Sequence, residues 1–194
     1  ALIFDGNAQD FYVALDDSAD DLVIGLGNTI GTTPIMSFDE NKDVVIHDGG
    51  LSITTADNTD TLTLISTDAD GSLGPNLRFY RNSASPADAD DLSTVDFEGR
   101  NDNSQDVVYA QILTATEDVS DGTEDGVMNF RVMKEGTSRE HIRMSGSGGV
   151  VINEASLDID FRVESNGDTH MLFVDAGNDH VNIKASADLG GVLN

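Results

Sequence analysis

The sequence predicts an all-β protein, an elongated repeat of short antiparallel strands and glycine turns. Three observations carry that expectation. Apolar residues alternate with polar ones over short runs bounded by Gly, Asn, Asp and Ser. Helical periodicity is absent nearly everywhere. A stretch at residues 130–152 recurs, without a gap, 31 positions further on.

Taken in order, residues 1–50 read as an N-terminal β segment of short strands. Phe11-Tyr12-Val13-Ala14-Leu15 and Leu22-Val23-Ile24 flank an acidic turn from Asp16 to Asp21. Ile35-Met36-Ser37-Phe38 leads through Asp39-Glu40-Asn41-Lys42-Asp43 into Val44-Val45-Ile46. Residues 51–128 read as a β-sandwich-like module with long polar loops, with strands near 62–65, 77–81, 94–98 and 107–116. Its longest polar connections are 101–106 and 117–126. Leu77 and Phe79 alternate with Arg78 and Tyr80, and Val95 and Phe97 with Asp96 and Glu98, so each run has one apolar and one wet face. Only residues 85–92 suit a helical turn, with Pro86 at its first position.

Residues 129–183 hold the two units of the repeat. Phe130-Arg131-Val132 falls on Phe161-Arg162-Val163, Gly136 on Gly167, Gly146 on Gly177, Val150 on Val181 and Ile152 on Ile183. Each unit predicts strand, Gly turn, strand, Gly turn, strand, with the glycines expected where φ is positive. A three-stranded unit of this size does not bury its apolar face alone. It does so by stacking into a β-prism- or β-helix-like shaft, by packing against other copies, or by both. Phe130, Val132, Phe161, Val163, Val181 and Ile183 are the candidate residues of that shared core. Residues 184–194 form a fading C-terminal segment. Together with the start at Ala1, this reads as a fragment of something longer.

Composition agrees with a thin private core. Only 38% of residues are hydrophobic and 6% aromatic, with no Trp, which is low for one compact domain of 194 residues. Asp and Glu number 36 against 10 Lys and Arg, a formal charge of −26. Such a surface repels phosphate backbones and anionic lipid, which argues against nucleic-acid binding and membrane insertion. It also keeps exposed strands from joining edge to edge. With no Cys there are no disulfides or thiolate metal sites. Oligomerisation is then the natural source of further stability.

Three segments carry a resemblance. Gly74-Pro75-Asn76-Leu77-Arg78-Phe79-Tyr80-Arg81-Asn82-Ser83-Ala84-Ser85-Pro86-Ala87-Asp88 runs on to Thr94-Val95-Asp96-Phe97-Glu98-Gly99-Arg100. Tyr109-Ala110-Gln111-Ile112 continues through Asp121-Gly122-Thr123-Glu124-Asp125-Gly126 to Phe130-Arg131-Val132-Met133. Asp160-Phe161-Arg162-Val163-Glu164 continues to Leu172-Phe173-Val174-Asp175-Ala176-Gly177-Asn178-Asp179 and Val181. Over about residues 51–183 these resemble modules of bacteriophage tail-fibre and other virion structural proteins, many of them marine. The resemblance implies a homotrimeric, elongated, extracellular β-fibre on the virion surface. It would contact other virion proteins and support host attachment, often ending in a receptor-binding tip. Family members often continue into Gly-x-Gly-Thr and further modules, whereas here Ile183-Lys184-Ala185-Ser186 fades out, and residues 1–50 match no module of the family.

The residues offer little chemistry beyond this. His47, His141, His170 and His180 form no His-x-x-x-His pair and read as strand or turn residues. The acidic clusters are the metal candidates, with Asp68, Asp70, Asp121 and Asp125 the positions for a structural calcium. Asp68-Ala69-Asp70-Gly71 lacks the Glu that closes a calcium loop, and Asp is also a turn former, so no cofactor is expected. There is no Cys nucleophile and no Gly-x-Ser-x-Gly elbow, and Ser145-Gly146-Ser147-Gly148-Gly149 reads as a loop. The expectation is a non-enzymatic structural protein. The rival readings are a knob centred on residues 74–128 that binds a host cell-surface glycan or protein, and a self-assembling surface filament or capsid-decoration protein.

Overall fold

The computed structural model describes residues 1–184, so nearly all of the expected C-terminal segment 184–194 lies outside the described residues. The protein is all-β, and no helix occurs among the described residues. Its strands form three antiparallel sheets. The chain divides into two units, Ala1–Asn76 and Leu77–Asn194.

The first unit contains a five-stranded meander in sequence order. Its strands are β1 (Leu2–Phe4), β2 (Phe11–Asp16), β3 (Asp21–Leu26), β4 (Pro34–Phe38) and β5 (Val44–Ile46). The acidic residues build its turns. Asp16 pairs with Asp21, and the Asp16 carboxylate accepts both the backbone N–H and the hydroxyl of Ser18, at 3.1 and 2.6 Å. Between β4 and β5, Asp39 accepts the N–H groups of Asn41 and Asp43, each at 2.9 Å.

The second unit contains another five-stranded meander and a three-stranded sheet. The larger one comprises β6 (Asp91–Arg100), β7 (Asp106–Asp118), β8 (Asp125–Lys134), β9 (Thr137–Ser145) and β10 (Gly149–Ile152). The smaller comprises β11 (Phe161–Ser165), β12 (Asp168–Asp175) and β13 (His180–Asn182). The boundary expected between 128 and 129 falls inside β8, because β8 pairs along its length with β7 as well as with β9. The stretch 51–128 thus holds β6, β7 and the start of β8, which belong to one sheet.

Phe161–Ser165 is Phe130–Lys134 moved by 31, and β9 and β12 begin 31 apart, at Thr137 and Asp168. The hairpins β4–β5, β9–β10 and β12–β13 also finish alike. The N–H groups of His47, Asn153 and Lys184 reach back to the carbonyls of Ile35, His141 and Met171, at 2.9, 2.7 and 3.4 Å.

Three local expectations are corrected. No strand forms at 62–65 or 77–81, because these residues find no ladder partner among the described residues. No helical turn forms at 85–92. Asp90 bonds back to the Ala87 carbonyl at 3.3 Å, but Ala89 between them has φ of 62°, which no right-handed helical turn allows. Ala89 donates to the Thr116 carbonyl at 3.1 Å and Thr116 to the Asp90 carbonyl at 2.9 Å, so this turn is pinned to β7. Of the aligned glycines only Gly136 has positive φ, at 75°, beside Glu135 at 51° in the two-residue β8–β9 turn. Gly146 and Gly177 lie instead beneath carboxylates. A Cβ on either would come within 2.5 Å of Asp125 Oδ1 or 2.8 Å of Asp158 Oδ1.

Candidate functional site

The β1–β5 sheet is apolar on the face it leaves open. Residues at paired positions share a face. One row, Leu2, Val13, Ile24, Met36 and Ile46, crosses all five strands. Beside it run Phe4, Phe11 and Leu26 on one side and Leu15, Leu22, Phe38 and Val44 on the other. No polar side chain interrupts these twelve residues, yet Leu2 is 58% exposed, Phe4 52% and Leu15 63%.

The private core lies on the opposite face, under the chain's own β3–β4 loop. Tyr12, Ala14 and Val23 are buried there beside Ser37. Tyr12 is the one described side chain with no exposure at all, and its hydroxyl accepts the N–H of loop residue Gly31 at 3.0 Å. Its ring lies directly on Gly25, where a Cβ would collide with the phenol. His47 reaches Ser37 Oγ from β5's end, at 2.9 Å. The loop therefore covers Tyr12 and its neighbours and leaves Leu2, Phe4, Phe11, Leu15, Leu22 and Phe38 exposed on the other face.

In the second unit a similar row, Val95, Ile112, Phe130, Ile142 and Ile152, crosses β6 to β10. Val132 lies on the same face, two residues beyond Phe130, opposite Ala110 and Phe97. Beside Phe130 a hollow of about 450 Å³ is lined by Leu92, Thr114, Met128, Met144 and Val150, among others. In the small sheet, Phe161, Val174 and Val181 form a row, with Val163 opposite Leu172. Of the six candidate core residues, Phe130 is half-buried, whereas Val132, Phe161, Val163, Val181 and Ile183 are exposed. Ile183 lies just beyond β13.

The reverse face of β6–β10 sets Leu113, Ala115, Val127 and Val151 among polar residues, and its polar part is organised around a residue the sequence did not single out. Glu117 accepts the Arg143 guanidinium at 2.7 Å and the Ser145 hydroxyl at 2.7 and 2.9 Å. It also accepts the Ser147 hydroxyl at 3.2 Å. The Ser145 hydrogen bond is the main cause that holds the Glu117 carboxyl below the usual carboxylate range, helped by Ser147 and Arg143. The end of β9 and the Gly/Ser loop after it are thus tied down by a carboxylate 28 to 30 residues earlier, a separation no motif reports. Asn129 is buried nearby on β8, and its side-chain oxygen has no partner.

The calcium candidates do not converge. Asp68 and Asp70 each turn back on the chain, accepting the N–H groups of Asp70 at 3.2 Å and Ser72 at 2.6 Å. Asp121 lies in the β7–β8 turn, while Asp125 begins β8 under Gly146. Among the described residues no three His, Asp or Glu side chains gather around a common point. Asp118 in that same turn accepts the Ser120 N–H at 2.8 Å, and bonding to Ser120 keeps its carboxyl below the usual range. His141 contacts the Arg139 carbonyl at 3.2 Å, and His170 stands edge-on to Phe173, 5.0 Å between ring centres.

No protein-family model matches this chain. No curated protein sequence matches it at a significant level either.

Proposed function

We propose that this chain is a structural component of a bacteriophage fibre, a homotrimeric extracellular shaft or knob on the virion surface that supports host attachment. The observation that carries the reading is the uninterrupted apolar face of β1–β5. Single exposed apolar residues are ordinary, but contiguous rows mark interaction sites. Removing the remaining exposed half of a Leu, Ile or Phe from water contributes about 1 kcal/mol. The twelve residues together contribute on the order of 10 kcal/mol per copy, comparable with what association costs in lost freedom. The face therefore decides assembly as a whole and not through one anchor.

The 31-residue offset between β8–β10 and β11–β13, and the shared ending of three hairpins, support a repeated unit stacked along an axis. The trimer and the virus come from the resemblance of residues 51–183 to fibre modules. Light scattering on the purified full chain is expected to give three times the chain mass of 20.6 kDa, and electron micrographs a rod. A stable monomer at micromolar concentration overturns the reading.

A further inference from the structure

Residues 48–80 make no backbone–backbone hydrogen bond with any described residue. Buried or solvated, every N–H and C=O needs a partner, and so long a stretch without internal structure is unusual beside well-formed sheets. The stretch nonetheless has the composition of strands. Leu51-Ser52-Ile53-Thr54-Thr55 and Thr61-Leu62-Thr63-Leu64-Ile65-Ser66 alternate Leu or Ile with Ser or Thr, and Leu51 and Leu62 are 70% and 63% exposed.

The corners around these two arms are built. Thr55 and Thr61 touch through their hydroxyls at 3.0 Å, closing a turn in which Asp57 accepts the N–H of Thr59 at 3.1 Å. At the second corner a Cβ on Gly74 would lie 3.2 Å from Ser66 Oγ. The chain thus reverses twice, but the arms between the corners do not zip into a hairpin.

Charge indicates what completes them. The arms contain no charged residue, while Asp57, Asp60, Asp68 and Asp70 all sit in the corners. On a chain of charge −26, two copies are held apart wherever carboxylates oppose one another, and these arms are places where they are not. Their alternating pattern is also its own complement. An uncharged, unpaired strand left exposed is an aggregation template, so it has to be covered.

We propose that residues 51–55 and 61–66 are strands completed in trans, their backbone groups laddered with the same arms of a second copy of this chain. The proposal rests on the self-assembly put forward above and adds the segment through which copies exchange backbone hydrogen bonds. The test is amide hydrogen exchange on the purified full chain, read by mass spectrometry beside its light-scattering mass. A multimer is expected in which amides of 51–55 and 61–66 exchange about a hundredfold or more slower than a free peptide, with that protection lost on dilution to single chains. Thr63→Pro removes one donor and should abolish protection of the arms while β6–β10 stays protected. A multimer whose arms exchange at free-peptide rates overturns this inference and leaves the fibre reading standing. A monomer overturns both, whether its arms are protected or not.

Discussion

The two five-stranded meanders share a topology and differ in what their second face does. Both carry an apolar row across every strand, one from Leu2 to Ile46 and the other from Val95 to Ile152. In β1–β5 the opposite face is closed by the chain's own loop over Tyr12, Ala14 and Val23. In β6–β10 it is a mixed face held by the ion-paired cluster of Glu117, Arg143 and Ser145. The two units thus order that face with different material, a packed loop in one and paired charges in the other. What they have in common is an apolar row that the single chain leaves partly exposed across every strand.

That contrast can be broken in several ways. The largest effect is expected from a charge at the centre of the open face. Ile24→Asp places a carboxylate among Val13, Met36 and their neighbours, and burying it unpaired in an interface costs several kcal/mol. Light scattering should fall to the single-chain mass of 20.6 kDa, while circular dichroism keeps its β signal because the private core is on the other face. Loss of the β signal as well would mean that this face serves the single chain.

Next comes the closed face. Gly25→Ala drives a methyl into the Tyr12 phenol and to 2.7 Å from the Thr33 carbonyl, and neither can retreat. A loss of about 1–3 kcal/mol is expected in urea unfolding. Gly146→Ala is the control in the second sheet. There the methyl meets the Asp125 carboxylate, whose end can swing aside, while Asp125 Cβ at 3.2 Å has to give by only a few tenths of an ångström, so a smaller loss of under about 1 kcal/mol is expected. Equal losses at the two glycines would remove the distinction between a packed and a mixed second face.

The smallest effect is a pH dependence. The Glu117 carboxyl is held below its ordinary value of 4.5, so its contribution is complete above that pH. It is lost as pH falls through the lowered value. Glu117→Gln should therefore be less stable at neutral pH and lose less stability on acidification below about pH 4.5 than the parent. Relief of repulsion among the other carboxylates acts in the opposite direction in both proteins and cancels in the comparison. Parallel acid limbs for parent and variant would show that the Glu117 cluster contributes nothing.

Strand positions were readable wherever alternation and turn chemistry coincided. Phe11–Leu15, Val44–Ile46 and the run around Phe130 fall on β2, β5 and β8, with Asp, Asn or Gly at the turns between. The Glu117 cluster was not readable, because its partners are 26 to 30 residues away and no short spacing announces them. Residues 62–65 misled for a related reason: alternation says that a segment is suited to be a strand, not that a partner is within reach.

Local pattern thus settled the all-β class, the turns and which residues share a face, since side-chain period and turn preferences act over a few positions. Which face a loop would close, which carboxylate would tie down the Gly/Ser turn and which arms would stay unpaired were settled by contacts between residues far apart in the chain. Those depend on how whole sheets and loops fit in space, and no short stretch of sequence encodes that fit.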